Sequence, residues 1–421
     1  MMRTLFSFIL LVLVHFDLSA QRQLSEVIIL NEGYFNYLNN KIEIPVSVAS
    51  YNPSSKEYKS LFEIPNARFA SDLLVYEKSL WVAADQQLIE YDLSTRKIKQ
   101  NLVIEGIRKI AISGNLLVVT RGEYNKTLDS YVQFYNLSDL SLRSTIPYNE
   151  LPYTCENIII NGLHIYIAVN NGFDWGKEVG QILDINIVSL KLNKIIDLGE
   201  DGKNPENLVL NGQQLFSVNN KNFTGSSISK IELSDASVHT TNLPNIASLC
   251  GTSALVKDQI FYQESGKTEI GLYNTNQQTA QYFKDAQRTF YGMNFESVES
   301  KIYAGVTDFK TYGKVYIYDD SMNELAYFDA GVSPGNFAFV YQSATATENL
   351  SFFNFIQTQG TLSLDPNYSI HELKLFSQEG KLLLNLNEPG HTVQIGQLSP
   401  GVYSVFGTST QKTYSQKLLI F

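Results

Sequence analysis

The chain is poor in cysteine, histidine, tryptophan and methionine, with 2, 5, 2 and 4 of them in 421 residues. Two cysteines cannot build a disulfide framework, and scattered histidines offer no metal-ligand spacing, so neither staple is expected to hold the fold. Basic charge is also short. Lys plus Arg is 32 against 42 for Asp plus Glu, a net charge of −10 and a pI near 5.1. Nucleic acid as a main partner needs a basic footprint that this composition lacks. Past residue 20 no apolar run is long enough to span a bilayer. There is no Gly-x-Ser-x-Gly elbow, no phosphate loop and no clustered Cys/His, so neither a cofactor nor catalysis is expected.

What is present points to sheet. The chain holds 25 Tyr and 24 Phe and is 44% hydrophobic, a β-rich composition with ample core material. Residues 1–20 have signal-peptide anatomy: Arg3, an apolar stretch from Phe6 to Phe16, and small residues Ser19 and Ala20 before Gln21. No cysteine follows the expected cleavage point, so a lipoprotein is not expected. A secreted or cell-surface location is.

Between residues 25 and 342 one unit recurs about every 40 to 50 residues, the period of a propeller blade. Paired apolar strands split by a turn anchor it: DLLVYEKSLWVA from Asp72, IAISGNLLVV from Ile110, IIINGLHIYIA from Ile158 and LVLNGQQLFSV from Leu208. ALVKDQIFYQ from Ala254 and NFESVESKIYAG from Asn294 continue the series. The Gly114-Asn115, Asn161-Gly162 and Asn211-Gly212 turns are strong hairpin signals. Six units start near residues 70, 107, 155, 206, 252 and 290. Residues 26–64 supply three strands of a seventh, and NFAFVY (336–341) supplies its fourth. The expectation is a seven-bladed propeller closed by both chain ends, which hides the sheet edges. A linker follows at 343–350, then a small β-sandwich at 351–421. All-β is therefore the expected class throughout.

The tail, with LKLFSQEGKLLL, IGQLSPGVYSVFG and YSQKLLIF, resembles the type A sorting domain of the bacterial type IX secretion system. That resemblance implies export across the outer membrane by the type IX machinery. VIILNEGYF with VSVASYNPSSKEY, and YAGVTDFKTYGKVYIYDDSMNELAYFDAGVSPGNFAF in the last unit, resemble a YncE-like family of bacterial surface propellers. Members include cobalamin-binding propellers that cap outer-membrane vitamin transporters. The resemblance implies a ligand-binding propeller capturing cobalamin, another corrinoid or another large nutrient, with a TonB-dependent transporter as partner. Those cobalamin binders are lipoproteins, whereas this chain carries the sorting tail instead.

The loop entering each inner strand and the loop joining the second and third strands lie on one face of a propeller. This sequence places aromatic, amide and charged residues there. The expected ligand-binding residues are Arg68, Arg121, Tyr124, Asn171, Phe173, Asp174, Trp175, Asn220, Asp308 and Phe309. Flat exposed rings beside amides suit a large, polar, ring-bearing ligand. Glu156, Asn157, Glu206, Asn207 and Tyr291 lie in the entering loops beside them. Two alternatives stay open: a lactonase-like enzyme working in the central channel, though no histidine precedes an inner strand, and a structural or adhesive protein recognising glycan or protein. Cys155 and Cys250 precede inner strands two blades apart, too far for an unstrained bridge, so two free thiols are expected. Trp81, within a strand, is expected in the core.

Overall fold

The computed structural model describes residues 22–221, 225–243, 252–264 and 266–343, and in the tail 353–356, 361–364, 370–377, 381–395, 398–399, 401–409 and 413–420. The expected signal peptide, most of the linker, and Cys250 lie outside the described residues. The chain divides into two units, Arg22–Gln342 and a C-terminal one from Ser343 to Phe421.

Among the described residues the first unit contains seven four-stranded antiparallel sheets, the blades of a β-propeller. Blade 1 runs Ala70–Tyr76, Ser79–Ala84, Gln87–Asp92, Lys97–Val103, from inner to outer strand. Blades 2 to 6 have inner strands Ile107–Ser113, Cys155–Asn161, Pro205–Asn211, Ser253–Val256 and Gly292–Glu296. Blade 7 takes its inner strand, Pro334–Ser343, from the far end of the unit and sets it against Arg22–Asn31, Val46–Asn52 and Glu57–Ile64.

Local chemistry explains the repeat. Glycines 114, 162 and 212, with φ between 55° and 60°, close the hairpins between first and second strands as such turns require. In blades 1, 3, 5 and 7 the third strand ends on an Asp or Asn whose side chain accepts backbone N–H groups two and three residues on. Asp92, Asn186 and Asn274 each do so at 2.8–3.0 Å. A left-handed residue then follows: Arg96, Leu190 or Gln278. These Asx turns are the sequence's own punctuation.

The second strand of a blade is buried on both sides. In blade 1, Leu80, Val82 and Ala84 pack toward blade 7, while Trp81 and Ala83 pack toward blade 2. Trp81 is 2% exposed, in the core as expected. One apolar cluster fills each of the seven junctions between neighbouring blades, so no blade can bury its faces alone. Cys155 lies in one of these clusters as a free thiol, and burial pushes its pKa well up.

The C-terminal unit has two sheets. One is formed by Phe353–Ile356, Thr361–Leu364 and Thr392–Gln394, the other by Leu382–Asn387, Glu372–Phe376, Gly401–Thr408 and Thr413–Ile420. They share a core that includes Leu362, Leu373, Leu375, Val405 and Leu418.

The closing strand leaves no spare room. A methyl group at Gly305 would fall on the Pro334 carbonyl oxygen, and one at Gly292 on that of Gly335. Gly305→Ala should therefore lower the melting temperature, at the ~1–3 kcal/mol scale of overpacking. A chain stopped before Pro334, with the edge of Arg22–Asn31 unpaired, should aggregate or melt far below the intact propeller in a thermal scan. Unchanged melting of either variant would contradict this closure.

Candidate functional site

The inner strands of blades 1 to 4 share an irregularity at their loop-face ends. The pairing register with the second strand shifts between Ala70 and Asp72, Ile107 and Ile110, Cys155 and Ile158, and Pro205 and Asn207. Blades 5 and 6 pair without a shift. A bulge leaves residues out of the ladder and re-aims them. Here those residues are Ser71, Arg108 with Lys109, Glu156 with Asn157, and Glu206. Four successive blades thus deliver polar side chains to the mouth of the central channel.

Arg108 Nε lies 3.0 Å from Glu156 Oε1, and its guanidinium stands 5.2 Å over the ring centroid of Phe173. Phe173 fits because its neighbour is Gly122, where a Cβ would approach the ring to 2.7 Å. Asn220 Nδ2 donates to Glu206 Oε2 at 2.5 Å. Burial against the channel wall, then the Glu156 carboxylate, push the Glu206 pKa up to about 7, with Arg108 opposing. Glu32, just past the second strand of blade 7, accepts a hydrogen bond from the Tyr291 hydroxyl; burial raises its pKa. Lys109 Nζ donates to Ser71 O at 2.9 Å. Nearer blade 1, Arg68 binds Asp85 through Nε at 2.9 Å and Nη2 at 2.6 Å, and Glu123 at 2.9 Å. These carboxylates raise its pKa further, so it stays charged.

Outside the mouth lies a rim of exposed aromatics. Trp175 is 75% exposed and its ring centroid stands 6.4 Å from that of Tyr124. Phe309 meets Tyr291 edge to face at 5.2 Å. Tyr312 is exposed beside them, as is Tyr37 at the tip of a small hairpin between Tyr34–Asn36 and Lys41–Ile44.

The expected residues therefore divide into three groups. Arg68, Phe173 and Asn220 join the charged mouth. Trp175, Tyr124, Asp174, Asp308 and Phe309 belong to the exposed rim, where Asp308 also caps a turn by accepting Lys310 and Thr311 N–H groups at 2.9 and 2.7 Å. Arg121 and Asn171 serve their own loops. Arg121 donates to Glu105 O, Asp129 and Ser130 O, each at 2.8 Å. Asn171 donates to Lys177 O at 3.0 Å. Sequence reasoning missed Arg108, Glu123, Asp85, Tyr37 and the part played by Glu32. One signal could have found the mouth: Glu-Asn opens the inner strands of both blade 3 and blade 4, a carboxylate and an amide before an apolar run.

No known family profile and no curated protein matches the chain. Solved structures match by fold. A Bacteroides fragilis protein assigned as a 6-phosphogluconolactonase aligns with 75% of this chain and 98% of its own, at 13% identity and TM-score 0.53. The extracellular domain of a B. thetaiotaomicron protein assigned as a one-component system aligns with 96% of this chain and 59% of its own, at 14% identity and TM-score 0.51. Kuenenia stuttgartiensis hydrazine synthase aligns with 63% of this chain and 88% of its own, at 14% identity and TM-score 0.52. At these identities the likeness carries the β-propeller fold alone.

Glu206 couples the site to stability. Its folded pKa of about 7 lies above the ordinary carboxyl value of 4.5. The folded state thus holds the proton more tightly, and this contribution is full below pH 4.5 and lost as pH rises through 7. Glu206→Gln should remove up to ~3 kcal/mol of pH dependence from that window. Unfolding free energies measured at pH 4.5 and 7.5 check this; a variant with the wild-type slope contradicts it.

Proposed function

We propose that this chain is an exported propeller, displayed at or released from the cell surface, that binds a large polar ring-bearing ligand on its loop face. Cobalamin or a related corrinoid is the candidate ligand, on the resemblance of its opening and last blade to the YncE-like surface propellers. On the same reading a TonB-dependent outer-membrane transporter receives the ligand, residues 1–20 are a signal peptide, and residues 351–421 are a type IX sorting domain. One observation carries the binding role: exposed Tyr37, Tyr124, Trp175, Phe309 and Tyr312 surround a mouth of charged side chains on one face. Rings that stay in water without a ligand can stack on its flat faces, while the mouth satisfies its polar groups.

Trp175→Ala should weaken cyanocobalamin binding about tenfold or more while leaving the melting temperature nearly unchanged, because its side chain is mostly in water. Tryptophan fluorescence of the wild type should respond to the ligand, and that of the variant should not, since Trp81 is buried. An unfolded variant, or undiminished affinity, would take Trp175 out of the site. Deleting residues 351–421 should leave a folded propeller that stays in the periplasm; normal surface export of the truncated protein would overturn the sorting role.

A second reading draws on Glu206. A carboxyl with a pKa near 7 beside a second carboxylate and an arginine has the makings of a general acid–base, as a channel lactonase would need. Lactone turnover abolished in Glu206→Gln would favour it over binding alone.

A further inference from the structure

The inner end of the site has a chemistry of its own, which refines the reading of this face as a ligand site and rests on it. Asn220 is 2% exposed. Its Nδ2 is spent on Glu206, and its Oδ1 is buried without a partner. Next to it, Asn204 accepts the Asn220 backbone N–H at 2.9 Å, and its own side-chain amide is buried with neither atom partnered. An orphaned buried amide oxygen is costly, and one on the same amide that grips Glu206 marks a place for a donor.

The charge balance points the same way. Blade 2 brings Arg108 and Lys109 to this end of the channel. Arg108 is held by Glu156 and Phe173, and Lys109 by Ser71 with Asp72 3.8 Å away. Blade 3 brings Glu156, blade 4 Glu206, and blade 7 Glu32, whose carboxyl feels Arg108. From blade 5, Ser253 Oγ accepts a hydrogen bond from Asn207 Nδ2 at 2.6 Å, Thr252 precedes it, and Glu264 is paired with Lys267. Lys203 and Lys221, on the loops flanking blade 4, are paired with Glu200 and Asp201. Arg68, on the blade 1 side, is already held by Asp85 and Glu123; among the described residues Glu32, Asp72, Glu156 and Glu206 thus face two further cations, Arg108 and Lys109, and ionised Glu206 adds a negative charge that these do not neutralise.

We propose that Glu206, Glu156 and the Asn220 carbonyl form a subsite for a ligand ammonium group, which enters as a proton leaves Glu206. With Glu206 ionised, the groups offered are acceptors: the second Glu206 oxygen, the Glu156 oxygen not spent on Arg108, and Asn220 Oδ1. An alkylammonium carries three N–H donors and no acceptor, so it satisfies all of them and supplies the missing charge. An anion meets repulsion here, and a neutral hydroxyl brings one donor to three acceptors. Because Glu206 keeps its proton to about pH 7, cation and proton compete. The exchange is balanced: one ammonium binds, and one proton goes to solvent.

The test uses 1,4-diaminobutane as probe, titrated calorimetrically into the purified protein between pH 5.5 and 8.5 in buffers of different ionisation enthalpy. Expected are saturable binding, release of about one proton below pH 7, and an affinity that rises about tenfold per pH unit before levelling above pH 7. Tetramethylammonium, which has no N–H, and 1,4-butanediol, which has no charge, should bind at least tenfold more weakly. Glu206→Gln should flatten the pH dependence and weaken the diamine at least tenfold. Asn220→Ser, which leaves Glu206 in place, should weaken it with the pH dependence kept, and this variant carries the test if Glu206→Gln fails to fold. No saturable binding, binding without proton release, or equal affinity for tetramethylammonium would overturn the subsite. Cyanocobalamin binding followed at Trp175 separates the two levels. If it persists while the diamine fails, the subsite falls alone; if both fail, the reading of the face falls with it.

Discussion

The pairing of Pro334–Ser343 with Arg22–Asn31 holds everything else in place. The two strands are more than three hundred residues apart in the chain, and their union turns a row of blades into a ring. Each blade buries its two faces against its neighbours, so an open row would leave two apolar faces and one long edge in water. The junction is tied again just outside the sheet, where Glu32 N–H and Gly33 N–H donate to Ser333 O and Val332 O at 2.9 and 3.0 Å. Glu32 is the carboxylate that reaches the channel mouth from blade 7. Closure and site therefore share residues.

The ring also explains why the mouth is charged in a protein of mostly apolar junctions. Blade faces are covered by blades, but the loop-face ends of the inner strands converge on the ring's centre. Bulges in four successive inner strands place polar side chains there, out of the ladder. Charges so enclosed lose solvent, and the carboxyls respond according to what faces them. Glu206, with Glu156 among its neighbours, moves up to about 7. Asp308 on the open rim, hydrogen-bonded by Thr311 and Lys310, moves down to about 2. Burial and pairing thus give one residue a proton near neutrality and fix the other as an anion.

Much of the propeller was legible in the sequence because its determinants are local. Alternating apolar strands, glycine hairpin turns and the Asp or Asn ending most third strands recur from blade to blade, and inner strands expected near 70, 107 and 155 begin at Ala70, Ile107 and Cys155. The closing strand was legible because blade 7 lacked one strand and the last apolar segment had no blade of its own. The charged mouth was legible only in part. Arg68, Phe173 and Asn220 were reached from loop position, but Arg121 is the last residue of the second strand of blade 2 and turns to Glu105, Asp129 and Ser130. Both arginines pair with a carboxylate of their own blade, but Arg68 also reaches Glu123 of the next one.

The bulges resisted sequence reading for a related reason. A register shift is a property of two strands, and Glu206 in PENLVLNG reads as one more polar residue before a strand until Asn219 and Val218 are paired with Pro205 and Asn207. What the sequence does carry is recurrence: Glu-Asn opens two successive inner strands, and Asn157, Asn207 and Ser253 link three blades by side-chain hydrogen bonds. That ladder fixes the strand starts around the channel. With them fixed, the Glu206 carboxyl and the Asn220 amide meet at 2.5 Å as parts of a rigid wall, and a proton or a cation entering there meets groups already in position.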